Sequence, residues 1–364
     1  MSSIQFYIRT DSSIAIGTGH VMRCLTLADR LREQGAAITF LCLEYPGNII
    51  PLIESKGYPV IKLSHEHHVS QAGFLWHEDA NRTSEVLQAA AAKADYLIVD
   101  HYGIDVRWEQ KLRPRVSKIM VIDDMADRKH DCDVLLDQNY YDQMESRYAG
   151  LVPDGCKQFL GPTFALLRPE FYKPRNQERT RTGIIRRILV FFGGSDPTEE
   201  TAKALRALTK LDNSLIEIDV VVGQSNVQKD AIQALCLQMR NARYHCQIDY
   251  MAELMSKADL CIGAAGSATW ERALLGLPSI VIVTAENQRE VARSTAQAGV
   301  VLNLGEYNDV TEQHITQAVA LLQGDPERVR AMSFHCHSLM GDIAGNMSFN
   351  SLVKELMGDS QDAI

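Results

Sequence analysis

IRTDSSIAIGTGHVMRCLTLADRL, from Ile8 to Leu31, passes from a β-rich start through a small polar loop into an amphipathic helix. Val21, Cys24, Leu25, Ala28 and Leu31 recur at i, i+3, i+4 spacing, which predicts a helix over His20–Glu33 with one apolar stripe, stopped by Gly35. Gly17 and Gly19 allow a tight turn and close backbone approach, and free N–H groups at a helix start favour an anion. Position 22 is Met, so the third glycine of a dinucleotide fingerprint is missing. His20 follows these glycines directly. It either packs at a helix start or places an imidazole beside a ligand.

Outward from this unit, short β-rich runs alternate with helical patterns. Strands are expected at Gln5–Ile8, Ala37–Leu43, Tyr58–Lys62, Tyr96–Val99, Ile119–Ile122 and Val134–Leu136. The polar, basic stretch Arg168–Arg187, broken by Pro169 and Pro174, has no apolar period and reads as a linker. The pattern then restarts: a strand at Ile188–Gly194, a helix from about Thr198, the strand IEIDVVVG, a helix over about Lys229–Asn241, a strand-like YHCQI, a helix MAELMSKA, the strand LCIGAAG, a helix from about Ala268, the strand SIVIV and a helix from about Gln288. Alternation of this kind gives parallel sheets with helices on both faces. The fold class is α/β, with two Rossmann-like, doubly wound domains facing across a cleft. The expected division is 1–167, a linker at 168–187, a second domain at 188–345, and a terminal helix (Ser348–Met357) with a tail at 346–364.

The bulk properties fit that reading. The 364 residues exceed one typical core, and 46% hydrophobic with 23% charged residues is ordinary for a globular protein. A net charge of −9 without a long basic run argues against nucleic acid or stable association with an anionic membrane. The N-terminus lacks a signal-peptide pattern and no apolar run reaches a membrane span, which predicts a cytoplasmic protein. Eight dispersed cysteines without C-x-x-C read as buried free thiols. HEHH (His65, His67, His68) and HCH (His335, Cys336, His337) lack a second ligand pair, so no metal and no cofactor is expected. Oligomeric state is not legible, and a monomer is favoured.

Three loops at expected carboxyl ends of strands have the residues for a nucleotide. FFGGSDPTEE offers Gly193, Gly194 and Ser195 beside a phosphate, or is simply a well-capped helix start. In GAAGSATWE, the small residues Ala265, Gly266 and Ser267 let backbone lie against a diphosphate, and Glu271 can accept both ribose hydroxyls or merely complement the helix. Backbone at Ile248 can read the edge of a uracil, and Asn287 and Gln288 offer amides to a sugar, with Asn287 also a catalytic candidate for orienting water, or they are ordinary loop residues. In the first half, Arg9, Asp11, Ser12 and Arg23 surround the His20 loop, and Asp11 either orients His20 or caps a turn. His101 and Tyr102 stand at a strand's carboxyl end, where they face a ligand or pack as buried rings. Asp123 and Asp124 are adjacent on a strand end and face opposite ways, which argues against a two-carboxylate glycosidase.

In order along nearly the whole chain, RTDSSIAIGTGHVMRCLTLA, VDHYGID, IDDMADRKHDCDVLLDQN, LGPTFALLRPEF, GGSD, GSATWERALLGLP and NQ resemble the UDP-sugar hydrolase family of pseudaminic acid biosynthesis. The second half is also similar to the GT-B group that contains the lipid II N-acetylglucosaminyltransferase. The resemblance implies hydrolysis of UDP-2,4-diacetamido-2,4,6-trideoxy-β-L-altropyranose to UDP and the free sugar, without metal and with inversion, His20 being the general base. It further implies a cytoplasmic enzyme in a pathway that decorates flagellin or surface polysaccharide. The chemistry is coherent, because UDP leaves as a stable anion and water needs a base. Three alternatives stay open: a UDP-sugar glycosyltransferase in which His20 activates an acceptor hydroxyl, a non-catalytic nucleotide-sugar-binding protein, and a related hydrolase acting on another nonulosonate precursor.

Overall fold

The computed structural model describes residues 3–63, 74–90, 93–175, 179–211, 215–341 and 347–358. His65, His67 and His68 of the HEHH stretch lie outside them, as does the tail after Gly358.

The first unit runs β1 (Gln5–Thr10), α1 (Gly19–Glu33), β2 (Ala37–Leu43), α2 (Ile50–Ser55), β3 (Val60–Leu63), α3 (Trp76–Ala89), β4 (Ala94–Asp100), α4 (Val106–Leu112), β5 (Val116–Ile122), β6 (Val134–Asp137) and β7 (Lys157–Leu160). Its seven strands are ordered β3-β2-β1-β4-β5-β6-β7, and every pairing is parallel. Both faces are apolar, as a helix-covered parallel sheet demands. Phe6, Ile8, Phe40 and Ile98 pack with the Val21, Cys24, Leu25, Ala28 and Leu31 stripe of α1 on one face. Leu41, Leu97 and Val99 pack with Trp108 and Leu112 on the other. Each fully buried large aliphatic side chain here contributes about 1.5–3 kcal/mol relative to exposure.

The second unit contains α5 (Tyr172–Arg175), β8 (Arg187–Phe191), α6 (Glu200–Thr209), β9 (Glu217–Val222), α7 (Lys229–Gln238), β10 (Ala242–Cys246), α8 (Met251–Lys257), β11 (Leu260–Ala264), α9 (Ala268–Leu274), β12 (Ser279–Val283), α10 (Arg289–Gln297), β13 (Val301–Glu306), α11 (Glu312–Gln323) and α12 (Pro326–Met340). Its six parallel strands are ordered β10-β9-β8-β11-β12-β13. A last helix, α13 (Met347–Met357), belongs to the first unit: Phe349, Leu352, Val353 and Leu356 are buried in the same core as α1. The compact units are therefore Met1–Asn139 with Gln143–Leu166 and Ala344–Ile364, and Leu167–Ile343 with Tyr140–Asp142.

In each sheet the order reverses beside the first strand, between β1 and β4 and between β8 and β11. Chain connections leave in opposite directions there, opening a crevice at the strand carboxyl ends where such sheets bind ligands.

The structure corrects the sequence reading in several places. The described residues of the expected linker Arg168–Arg187 are packed: Phe171 is fully buried beneath a 3₁₀ turn at Pro169–Phe171, and the chain continues into α5. Its basic residues serve as caps: Arg179 donates to the carbonyls of Ser256, Lys257 and Ala258, and Arg181 to those of Met255, Ala258 and Leu275. These include carbonyls that the end of α8 leaves without helical partners. Helix α6 begins at Glu200 rather than Thr198, because Asp196 and Glu199 adopt left-handed backbone (φ 44° and 60°). The Asp196 carboxylate, not Ser195, caps it by accepting from Glu200 N and Thr201 N. Helix α7 ends at Gln238, short of Asn241. Two edge strands lie outside those expected: β7 (KQFL) carries no apolar run, whereas β13 (VLNLGE) has one in Val301, Leu302 and Leu304.

All eight cysteines are free thiols, six of them buried. His335 and Cys336 bond to backbone carbonyls, and among the described residues no His/Cys/Asp/Glu group is arranged to hold a metal. Among those residues no helix is long and apolar enough to cross a membrane.

Gly263, near the end of β11, marks the tightest approach at the second crevice. A Cβ there would stand 2.3 Å from the Phe191 carbonyl oxygen of β8. Gly263→Ala must push β8 and β11 apart, and we expect a loss of about 1–3 kcal/mol in chemical denaturation, the usual cost of overpacking. A variant as stable as the parent would contradict this contact.

Candidate active site

The first-unit crevice is built by the ends of β1 and β4, which are paired with Thr10 opposite Asp100. After β1 the chain makes a small hairpin in which Ser13 and Gly17 bond to each other, Gly17 sitting at φ +80°. Gly19 then opens α1 and brings His20 over the end of β4. There His20 Nδ1 lies 2.6 Å from Asp100 Oδ1. Arg23, one turn on, donates through Nη2 and Nε to the two oxygens of Asp100, both at 2.6 Å, and through Nη1 to Asp124 at 3.1 Å. Burial pushes the Asp100 carboxyl up, but Arg23 and His20 overcome that and hold it well below the usual carboxylate range. An ionised Asp100 takes the Nδ1 proton as its hydrogen bond, which leaves the lone pair of the neutral ring on Nε2. The imidazole keeps 10% of its side-chain surface exposed.

The surrounding groups fix that ring. Tyr102 meets His20 edge to face, with centroids 4.6 Å apart. Burial and the Asp124 carboxylate, which accepts from its hydroxyl, push the Tyr102 phenol above its ordinary value, so it stays protonated. Behind Asp124, burial and the charges of Asp124 and Asp123 push Asp137 up to about 8. The Tyr148 hydroxyl lies between Asp123 and Asp137, at 3.0 and 3.1 Å. With a proton on Asp137, both contacts are satisfied, Tyr148 donating to one carboxylate and accepting from the other acid.

Arg9 and Asp11, two of the residues expected to meet substrate, are buried within the unit. Arg9 is 0% and Asp11 1% exposed. Arg9 is shared between Asp11 and Asp79, with contacts as short as 2.6 Å, and Trp108 Nε1 donates to Asp79. The partner that holds His20 is therefore Asp100, and Asp11 serves the core. His101 is drawn into the same cluster: Nε2 lies 3.4 Å from Asp11, and Nδ1 accepts from Gly103 N. Burial pushes the His101 imidazole down despite the neighbouring Asp11, which keeps it neutral. Ser12 accepts from Ile49 N and fastens the hairpin. Arg23 is buried on its two carboxylates.

The second-unit crevice gathers four loops. After β8, Gly193 turns at φ +92° and Gly194 lies against Gly223, where a Cβ would stand 2.5 Å from the Gly194 carbonyl oxygen. Ser195 is buried beside them. After β10, Gln247 takes φ +51° and leads to the half-buried Ile248, two residues beyond the strand. After β11 come Ala265, Gly266 and Ser267, then Glu271 within α9. After β12, Gln288 Oε1 accepts from the Thr284 backbone and hydroxyl, at 3.1 and 3.2 Å. Its Nε2 is left facing Gly266, 3.6 Å from where a Cβ would sit. Asn287 stands half-buried in the same turn.

Glu271 has a partner that the sequence did not suggest. Arg168 Nη2 lies 3.2 Å from its Oε1, while Arg168 Nη1 pairs with Glu170 and the guanidinium stacks over Phe171. Burial pushes the Glu271 carboxyl up, and Arg168 opposes that shift. Asp100 and Arg168 were therefore the functional candidates missed. Asp100 carried a signal, an acid at the carboxyl end of a buried strand and within VDHYGID. Arg168 lies within LGPTFALLRPEF, but nothing in that segment points to Glu271 as its partner.

Residues 188–344 match the glycosyltransferase family 28 C-terminal domain. The UDP-2,4-diacetamido-2,4,6-trideoxy-β-L-altropyranose hydrolase of Campylobacter jejuni is 30% identical over 292 residues, which is 80% of this chain and 96% of that one. The chain belongs to that family. An uncharacterised protein of Methanocaldococcus jannaschii is 29% identical over 290 residues, 78% of this chain, although the chain spans only 56% of that protein's length. Among solved structures, Acinetobacter baumannii MurG superposes with a TM-score of 0.66 at 16% identity, covering 98% of this chain and 99% of its own. That likeness shows the fold, which is GT-B. The family and the fold together make this an enzyme of the GT-B nucleotide-sugar-processing kind.

Proposed function

We propose that this chain hydrolyses UDP-2,4-diacetamido-2,4,6-trideoxy-β-L-altropyranose to UDP and 2,4-diacetamido-2,4,6-trideoxy-L-altrose, with inversion and without a metal ion. The observation that carries the reading is the His20–Asp100 pair at 2.6 Å, which makes Nε2 the basic nitrogen of a ring held at the switch point of the first sheet. In the reaction, the oxygen of a water bonds to the anomeric carbon as its proton passes to His20 Nε2. The bond from that carbon to the β-phosphate oxygen breaks, and its electron pair leaves with UDP. The departing group is a stable anion, so it needs charge stabilisation more than a general acid. The second unit supplies the nucleotide subsite: Gly193, Gly194 and Ser195 with Ala265, Gly266 and Ser267 for the diphosphate, Glu271 for the ribose, the Ile248 backbone for the base, and Asn287 and Gln288 toward sugar or water. Tyr102, on the edge of His20, is the residue placed to meet the sugar in the first unit.

A second reading is favoured by the family 28 match over residues 188–344: transfer of the sugar to an acceptor whose hydroxyl His20 deprotonates. One experiment separates the two. The sugar nucleotide is incubated with the protein in EDTA and without acceptor, and products are followed by proton NMR. UDP and free sugar, the latter first appearing with inverted anomeric configuration, are expected. Intact substrate alongside tight UDP binding would overturn hydrolysis and leave transfer to an acceptor or binding alone.

A further inference from the structure

Arg272 lies in α9 beside Glu271, but its side chain goes the other way, into the protein, with 1% exposure. Nη2 donates to the Ala264 carbonyl at 2.9 Å and to Thr269 Oγ1 at 3.0 Å. Nη1 comes within 3.2 Å of where a Gly263 Cβ would stand. Neither Nε nor Nη1 has a hydrogen-bond partner among the described residues, and no carboxylate among them forms an ion pair with Arg272. Its charge opposes the upward push of burial on the Cys261 and Cys336 thiols and on Glu271. A buried guanidinium without a counter-charge is costly. Here it lies directly beneath the 264–267 loop.

We propose that Arg272 is a positioning residue of the nucleotide site, which fixes and polarises the Ala264–Ala265 peptide so that the loop receives the nucleotide's diphosphate. The inference rests on the reading of the second unit as the nucleotide-binding half. In a trans peptide the N–H points opposite to the C=O. With the Ala264 carbonyl held down on Arg272, the Ala265 N–H is turned away from the guanidinium. A carbonyl that accepts from a cation also makes the N–H of the same peptide a stronger donor. The guanidinium adds a positive charge that burial shields from solvent ions. An incoming diphosphate would supply the anion that the fold leaves out, through the loop rather than by direct contact.

Calorimetry with UDP and with uridine tests this on the full chain. Arg272→Gln keeps a donor for the Ala264 carbonyl but removes the charge. It is expected to weaken UDP by about tenfold or more while changing uridine by less than about twofold, with Arg272→Lys restoring most of the UDP affinity. Equal weakening of UDP and uridine would reduce Arg272 to loop packing, and unchanged UDP affinity would overturn the proposal outright. Should Arg272→Gln fail to fold, the parent protein still decides. A shielded charge predicts that its preference for UDP over uridine changes by less than about threefold between 0.05 and 0.5 M salt, whereas exposed cations would lose it. A parent protein that binds neither ligand overturns the nucleotide reading itself, a result distinct from any variant's behaviour.

Discussion

His20→Ala is expected to lower turnover of the UDP sugar by about 10²–10⁴-fold, the usual contribution of a positioned general base, with little change in UDP affinity. The argument extends to Asp100→Asn, which should lose at least about 100-fold although it hardly changes shape. An aspartate can only accept from Nδ1, so it fixes the basic lone pair on Nε2. An asparagine can instead turn its amide toward Nδ1, which moves the ring proton to Nε2 and abolishes the base. Arg23 would still donate through Nε to the remaining oxygen, while its Nη2 loses its acceptor. Kinetics of both variants, with UDP binding as the control, check the pair. Full activity in His20→Ala would make the histidine a helix-start residue and move the search for the base elsewhere.

Removing Asp79 should cost the first unit about 3–5 kcal/mol in chemical denaturation, the penalty for breaking a buried ion pair from one side. Arg9 has no solvent to turn to, because it lies at 0% exposure between Asp11 and Asp79. Asp79→Ala would leave the Nε donor of Arg9 and the indole N–H of Trp108 unsatisfied at once. A loss below about 1 kcal/mol would show that the cluster is not held as described. The same groups set the acid limit. Burial pushes Asp11 up, but Arg9 and His101 hold it well below its ordinary value, as Arg23 and His20 do for Asp100. A carboxyl whose folded pKa lies below its unfolded one stabilises fully above about pH 4 and ceases to do so as pH falls further. Denaturation midpoints should therefore drop below about pH 4, and Asp79→Ala should shift the whole curve down.

The fold was legible because β–α alternation is a local property. The stripe on α1, the glycines after β1 and the small residues after β11 each declare themselves within a few neighbouring positions. What stayed hidden depends on distance along the chain. Asp100 is eighty positions from His20 and reads only as the last residue of a strand. Arg9 looks like a cation presented to an anionic substrate until α3 delivers Asp79 to it. Arg272 has the spacing of any helical arginine, and its inward course depends on Gly263 leaving room. Arg168, Arg179 and Arg181 lie in a stretch that reads as a linker, yet the last two cap carbonyls and the first meets Glu271. The edge strand β7, with KQFL, gives no apolar signature and emerged only with its neighbour β6.

A ribosome finishes β1 to β7 well before it makes α13, whose Phe349, Leu352, Val353 and Leu356 fill the core beside α1. Until then the emerging first unit lacks one of its apolar walls. At about 5–20 residues per second, translating Leu167–Ile343 takes about 10–35 s, so that wall stays open for the whole synthesis of the second unit. The second unit, nearly continuous in sequence, can complete itself meanwhile. The covalent path thus sets an order of maturation in which the part that begins first is sealed last.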